Sequence, residues 1–157
     1  VQAQFGFGGT GGVAADIQHA GFLAPGFFLQ LGSANILGVT FTFVWVDGNG
    51  NPTDIDNNNT GDAAFREIYY NDGFRWEVDP NDQPGDGGFD IQTVSLHEAG
   101  HGLSQGHFGR GAINNQTGRI QLSPQAVMNA GYIFGQQSLL GTDNAGHCSN
   151  WASWPNN

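Results

Sequence analysis

The strongest pattern in the chain is ILGVTFTFVWV at residues 36–46, where threonine alternates with Phe and Val in a run rich in β-branched and aromatic residues. Such a run predicts a strand. FREIYYN at 65–71 predicts a second strand and residues 15–19 a third, with a short helical turn at 25–31 inside the Gly- and Pro-punctuated stretch between them. Further on, Ile91, Val94, Leu96, Ala99 and Leu103 recur at helical spacing, and Asp90 stands where an N-cap belongs, so a helix is expected over 91–103. That spacing leaves His97 and His101 together on a neighbouring face, one turn apart. A last helix is expected over 143–154, capped by Thr142. The remaining segments carry little to bury. Residues 1–14 are a glycine-rich irregular lead-in, 47–62 (DGNGNPTDIDNNNTGD) a long surface loop and 79–88 (DPNDQPGDGG) a breaker-rich loop. Strands and helices together predict an α/β fold with no internal repeat.

Length and charge narrow the picture. A chain of 157 residues fits one domain with its own core. Four arginines, no lysine and fourteen acidic residues give a net charge of -10, which repels phosphate backbones and anionic lipid; neither nucleic acid nor membrane is expected as a partner. No apolar run approaches the roughly 18–20 residues of a membrane span. Cys148 is the single cysteine, so an internal disulfide is excluded and a buried core thiol is expected. The chain begins at Val1 rather than Met, as a trimmed precursor or an excised segment would. Its acidic, amide-rich, lysine-free composition suits a secreted protein.

The chemistry concentrates in HEAGHGLSQGH at 97–107. Histidines four apart on a helix project the same way and can share one ion. A catalytic zinc takes three protein ligands and keeps a position for water, so a third donor is needed; His107 is the candidate, with Gly102, Ser104 and Gly106 able to end the helix and turn the chain back. Glu98 beside the first ligand is the candidate general base. Given five His and three Glu, chance would produce this three-histidine pattern in about 1 of 10,000 shuffled chains. A structural zinc site normally has four Cys or His ligands, and no obvious fourth is present.

HExxH with a histidine six residues after its second one resembles the metzincin clan of zinc metallopeptidases, whose fuller motif is HExxHxxGxxH plus a downstream Met-turn. SPQAVMNAGY supplies the second half: Val127, Met128 and Tyr132 look like the Met-turn and specificity-pocket wall of matrixins. ADIQHAGF at 15–22 resembles a central strand of that fold, ILGVTFTFVWV the edge strand that lines the cleft, FREIYYND the strand next in sequence, and FDIQTVSLHEAGHGLSQGHF the active-site helix and metal loop. The resemblance implies a twisted, mostly parallel sheet with one antiparallel edge strand, an active-site helix, a Met-turn and a C-terminal helix. It further implies a monomeric endopeptidase that binds extended polypeptide by strand addition, with Val39, Phe41 and Tyr132 touching substrate.

Three departures stand out. Ser104 occupies a position where the family has glycine and the backbone needs positive φ, so strain or a shifted helix end is expected. The family's preceding strand and long backing helix have no counterpart before Val1. Met128 is followed by Asn129 and Ala130 where matrixins often carry proline.

Elsewhere, Asp54, Asp56, Asn58, Thr60 and Asp62 place oxygen donors at alternate positions, like the first part of a calcium loop without its closing glutamate, and a structural calcium ion is expected there. His19 and His147 are expected to be packed or hydrogen-bonded residues rather than ligands. Two rival functions remain on the sequence alone: an inactive metal-binding or adhesive module, which intact Glu98 argues against, and a zinc hydrolase of small amides, which needs a closed pocket.

Overall fold

The protein is described by a computed structural model, which covers residues 17–55, 57, 59–79, 81, 87–132 and 135–151. The glycine-rich lead-in, the first residues of the strand expected from 15, and the tail of the last expected helix beyond 151 lie outside the described residues. Among the described residues the contacts form two compact units, one ending at Gly73 and the other beginning at Phe74.

Among its described residues the first unit holds a three-stranded sheet in the order β1-β3-β2. Strand β1 (Ile17–Leu23) runs parallel to β3 (Ala63–Asn71), while β2 (Gly38–Val44) pairs antiparallel with β3 and forms an edge. The sheet is therefore mixed, with one parallel and one antiparallel pair in place of the mostly parallel sheet expected. Its central strand explains its own composition: with neighbours on both edges and cover on both faces, Phe65, Glu67, Ile68, Tyr69, Tyr70 and Asn71 are all buried. Phe43 of β2 stacks on Phe65 at 4.6 Å between ring centroids. Asn71 closes the strand, its amide group donating to the carbonyls of Ala34 and Ile36 and its oxygen accepting from Gly73 N–H. The helical turn expected at 25–31 is α1 (Pro25–Gln30), opened by proline and anchored by fully buried Phe28.

The loop after β2 is built on its own amides. Asp47 accepts from Asn49 N–H and Asn51 N–H, Gly50 takes φ +86° to complete the turn, and Val46 bridges Pro52.

The second unit contains a short parallel pair, β4 (Trp76–Glu77) with β5 (Phe89–Asp90), then helix α2 (Ile91–Gly102), the antiparallel hairpin β6 (Arg110–Ile113) with β7 (Ile120–Ser123), and helix α3 (Gly141–Trp151). The hairpin had no sequence signal: of its eight strand residues only Leu122 is even half-buried, so no alternation marks it. Helix α3 begins two residues earlier than expected, and Thr142 is not its cap; the Thr142 hydroxyl donates to the Gln125 carbonyl. Cys148 on α3 is an exposed thiol, not the core residue its type suggested. Among the described residues no helix is long and apolar enough to cross a membrane.

Candidate metal centre

Helix α2 starts where its sequence directs. The buried Asp90 carboxylate accepts from the Thr93 N–H at 2.7 Å and from the Thr93 hydroxyl at 2.6 Å, an N-cap that fixes the register of everything downstream. The same carboxylate accepts from Asp79 N–H and the Gln137 side chain. Although burial opposes it, these bonds hold the Asp90 carboxyl below the usual carboxylate range.

One turn apart on this helix, His97 and His101 meet His107 from the loop beyond. The three Nε2 atoms form a nearly equilateral triangle with sides of 3.0, 3.1 and 3.0 Å. Nitrogens about 2.0–2.1 Å from a tetrahedral ion stand roughly 3.3 Å apart, so the triangle is close to the size such an ion requires. The tautomers make the stronger case. His97 Nδ1 lies 2.7 Å from the Val127 carbonyl and His101 Nδ1 lies 2.7 Å from the Gln105 carbonyl. A carbonyl only accepts, so both Nδ1 atoms carry the proton and both Nε2 atoms of the neutral rings present lone pairs. Two lone pairs facing each other at 3.1 Å share no hydrogen; a cation relieves what a hydrogen bond between them cannot. Three nitrogen donors without thiolate or carboxylate suit zinc and its late first-row neighbours. Among the described residues no fourth His, Cys, Asp or Glu joins the three.

Electrostatics keep the rings available. Burial pushes the His97 imidazole down to about 4, and neighbouring His101 and His107 press in the same direction against the Val127 hydrogen bond. His107 is likewise held below its ordinary value, first by burial and then by His101. Both shifts favour the neutral ring, the state a metal ligand needs. Glu98, next to His97, is 4% exposed.

The triangle rests on a buried turn. Ala126, Val127, Met128 and Asn129 are all buried, and Val127 supplies the carbonyl that orients His97. Asn129 accepts from Ala126 N–H and donates to the carbonyls of Phe108 and Pro124, while Phe108 N–H donates to Met128; the residue after the third ligand is thus tied to the turn twice. Met128 packs against Gly100, where an added Cβ would overlap its sulfur. That contact explains the glycine between the two helical ligands better than helix propensity, which disfavours it.

Past Gly102 the chain reverses through left-handed Ser104 at φ +66°, with Gln105 N–H bonded to Gly100 O and Ser104 N–H to His101 O. This is a Schellman ending with serine where glycine is ordinarily required, as the sequence led one to expect. Ser104→Gly is expected to stabilise the protein by about 1 kcal/mol, raising its melting temperature by roughly 2–4 °C. An unchanged or lower melting temperature in thermal denaturation would show that the αL serine carries no cost.

The other expected site residues are placed as follows. Val39 and Phe41 sit half-buried on β2 in the first unit, with Phe41 against Phe27 and Tyr69. Tyr132 is half-buried in the second unit; its hydroxyl accepts from Asp90 N–H at 2.7 Å and its ring meets Phe89 edge-on, so it braces the start of α2. In the loop where calcium was expected, Asp54 accepts from Asn59 N–H and Asp62 from Ile55 N–H, so both carboxylates bond the loop's own amides; Asp56 and Asn58 lie outside the described residues, and Thr60 is exposed. His19 packs against Tyr69 and His147 is half-buried on α3; among the described residues neither joins a group of potential metal ligands. Sequence reasoning missed Asn129 and Asp143, the latter wholly buried at the start of α3 and bonded to the turn.

No family model matches the chain, and neither a curated protein nor a solved structure matches it.

Proposed function

We propose that the protein is a zinc-dependent endopeptidase of metzincin-like type, secreted and monomeric, that hydrolyses extended polypeptides. The observation that carries this reading is the convergence of three imidazoles, from HEAGH and the loop after it, with no fourth His, Cys, Asp or Glu beside them among the described residues. The family likeness rests on the motif and on Met128 in a buried turn against the helix that bears two of the ligands.

His97, His101 and His107 would hold a zinc ion, which would supply Lewis acidity for polarising a carbonyl and acidifying water. The protein's own part is positional and acid–base. The carbonyls of Val127 and Gln105 fix the tautomers and ring planes of two ligands. Glu98 is the general base: it takes a proton from the attacking water and returns it to the leaving amine.

Glu98→Gln is expected to bind zinc as the parent does while losing peptide hydrolysis by at least about a thousandfold. The assay is casein or peptide-library cleavage alongside zinc quantification. Cleavage retained by the variant removes Glu98 from the chemistry; zinc-loaded parent protein that cleaves nothing favours the inactive metal-binding module instead.

A further inference from the structure

We propose that Asp143 is a positioning residue for the metal, acting on His97 through the single peptide group that joins Val127 to Met128. The inference rests on reading the three histidines as a metal centre.

Asp143 is 0% exposed and its carboxylate accepts three hydrogen bonds, all from backbone amides: Oδ2 accepts from Val127 N–H at 3.0 Å and Leu140 N–H at 2.9 Å, and Oδ1 accepts from Met128 N–H at 3.1 Å. The last bond differs from the others in what lies behind it. Met128 N–H and the Val127 carbonyl belong to one planar, resonance-coupled amide, and that carbonyl accepts the His97 Nδ1–H at 2.7 Å. Carboxylate and imidazole thus occupy opposite ends of the same amide dipole. An acceptor on the N–H end shifts electron density toward the oxygen, since hydrogen bonds in a chain polarise one another. The carbonyl then binds the Nδ1–H more strongly, and Nε2 becomes a better donor. Ligating histidines commonly hand their second N–H directly to a carboxylate; here one amide is interposed. The bond to Val127 N–H provides an internal contrast, because it belongs to the preceding amide, whose Ala126 carbonyl accepts from Asn129 N–H instead of from a ligand.

The test is Asp143→Asn, read with cobalt(II) alone as the probe. Asparagine's one oxygen can still serve the Val127 and Leu140 amides, while its NH2 group faces Met128 N–H and breaks only the bond in line with His97. The folded variant is expected to bind cobalt about 10–100-fold more weakly in chelator competition, with a shifted visible absorption band. A purely structural role would lower thermal stability and leave affinity and band unchanged; that result overturns the proposal. Should the variant fail to fold, backbone esters decide: Met128 replaced by its α-hydroxy acid must weaken cobalt binding far more than Val127 replaced by its own, and equal effects overturn the proposal. Absence of cobalt and zinc binding by the unmodified protein overturns both this inference and the metal-centre reading, whereas normal binding unaffected by either change sinks this inference alone.

Discussion

Asn129→Asp is expected to destabilise the protein by on the order of 3–5 kcal/mol, enough to lower its melting temperature by roughly 10 °C. The substitution changes almost no volume. What changes is that the Nδ2 group donating to Phe108 O at 2.8 Å and Pro124 O at 3.1 Å becomes an oxygen facing two carbonyl oxygens in a site only 1% exposed. Asn129→Ala, by comparison, should cost less, because it leaves the two carbonyls and the Ala126 N–H without their partner but buries no charge.

Acid separates the two variants. A carboxyl facing carbonyls in a dry site binds its proton tightly, so its folded-state pKa is raised above the unfolded value. Its deficit is therefore smallest below the unfolded pKa and grows as pH rises through the folded pKa. Chemical denaturation of both variants at pH 4 and pH 7 checks this: the Asp variant should approach the Ala variant at the lower pH. Equal stability of Asn129→Asp and the parent at pH 7 would mean that the turn does not need these bonds. Because Phe108 follows the third ligand, the Asp variant should also hold metal more weakly than its loss of stability accounts for.

What the sequence made legible and what it hid divide along a physical line. Asp90, His97 and His101 are read correctly because an N-cap and an i, i+4 pair are local geometry, fixed once the helix starts. The αL turn at Ser104 was expected from the glycine that the resembled family carries at that position. The edge placement of β2 followed from a family likeness, whereas the burial of β3 on both faces was not legible, because Arg66 and Glu67 interrupt its apolar and aromatic residues. Asp143 and Asn129 were invisible by contrast. An acid in the first turn of a helix already has a local explanation in the helix dipole, and nothing in composition says that its carboxylate reaches back fifteen residues to the Met128 amide. Of the donors of 54–62, Asp54 and Asp62 accept from amides of their own loop, contacts that the spacing of oxygens alone does not reveal.

The second large effect concerns the metal and pH together. Saturating zinc at about 1,000 times its dissociation constant is expected to stabilise the folded protein by about 4 kcal/mol, and a chelator to reverse it. Lowering pH should destabilise the metal-free form in a defined window. His97 has a folded-state pKa of about 4 against an ordinary 6.5, so between those values the unfolded chain takes up a proton that the folded chain refuses. Stability therefore falls as pH falls from 6.5 toward 4, by up to about 1.4 kcal/mol per unit for this one group, and the loss levels off below that. His107, depressed in the same sense, adds to the slope. Carboxylates titrate nearby, so the quantity to measure is the difference in denaturation midpoint between the parent and His97→Gln across pH 4–8, with and without zinc. That difference should favour the parent with zinc at pH 8 and move against it as metal-free samples are acidified through the window. A parent whose metal-free stability tracks the variant's at every pH would show that His97 is not held neutral, and with it would go the argument that two bare Nε2 lone pairs face each other waiting for a cation.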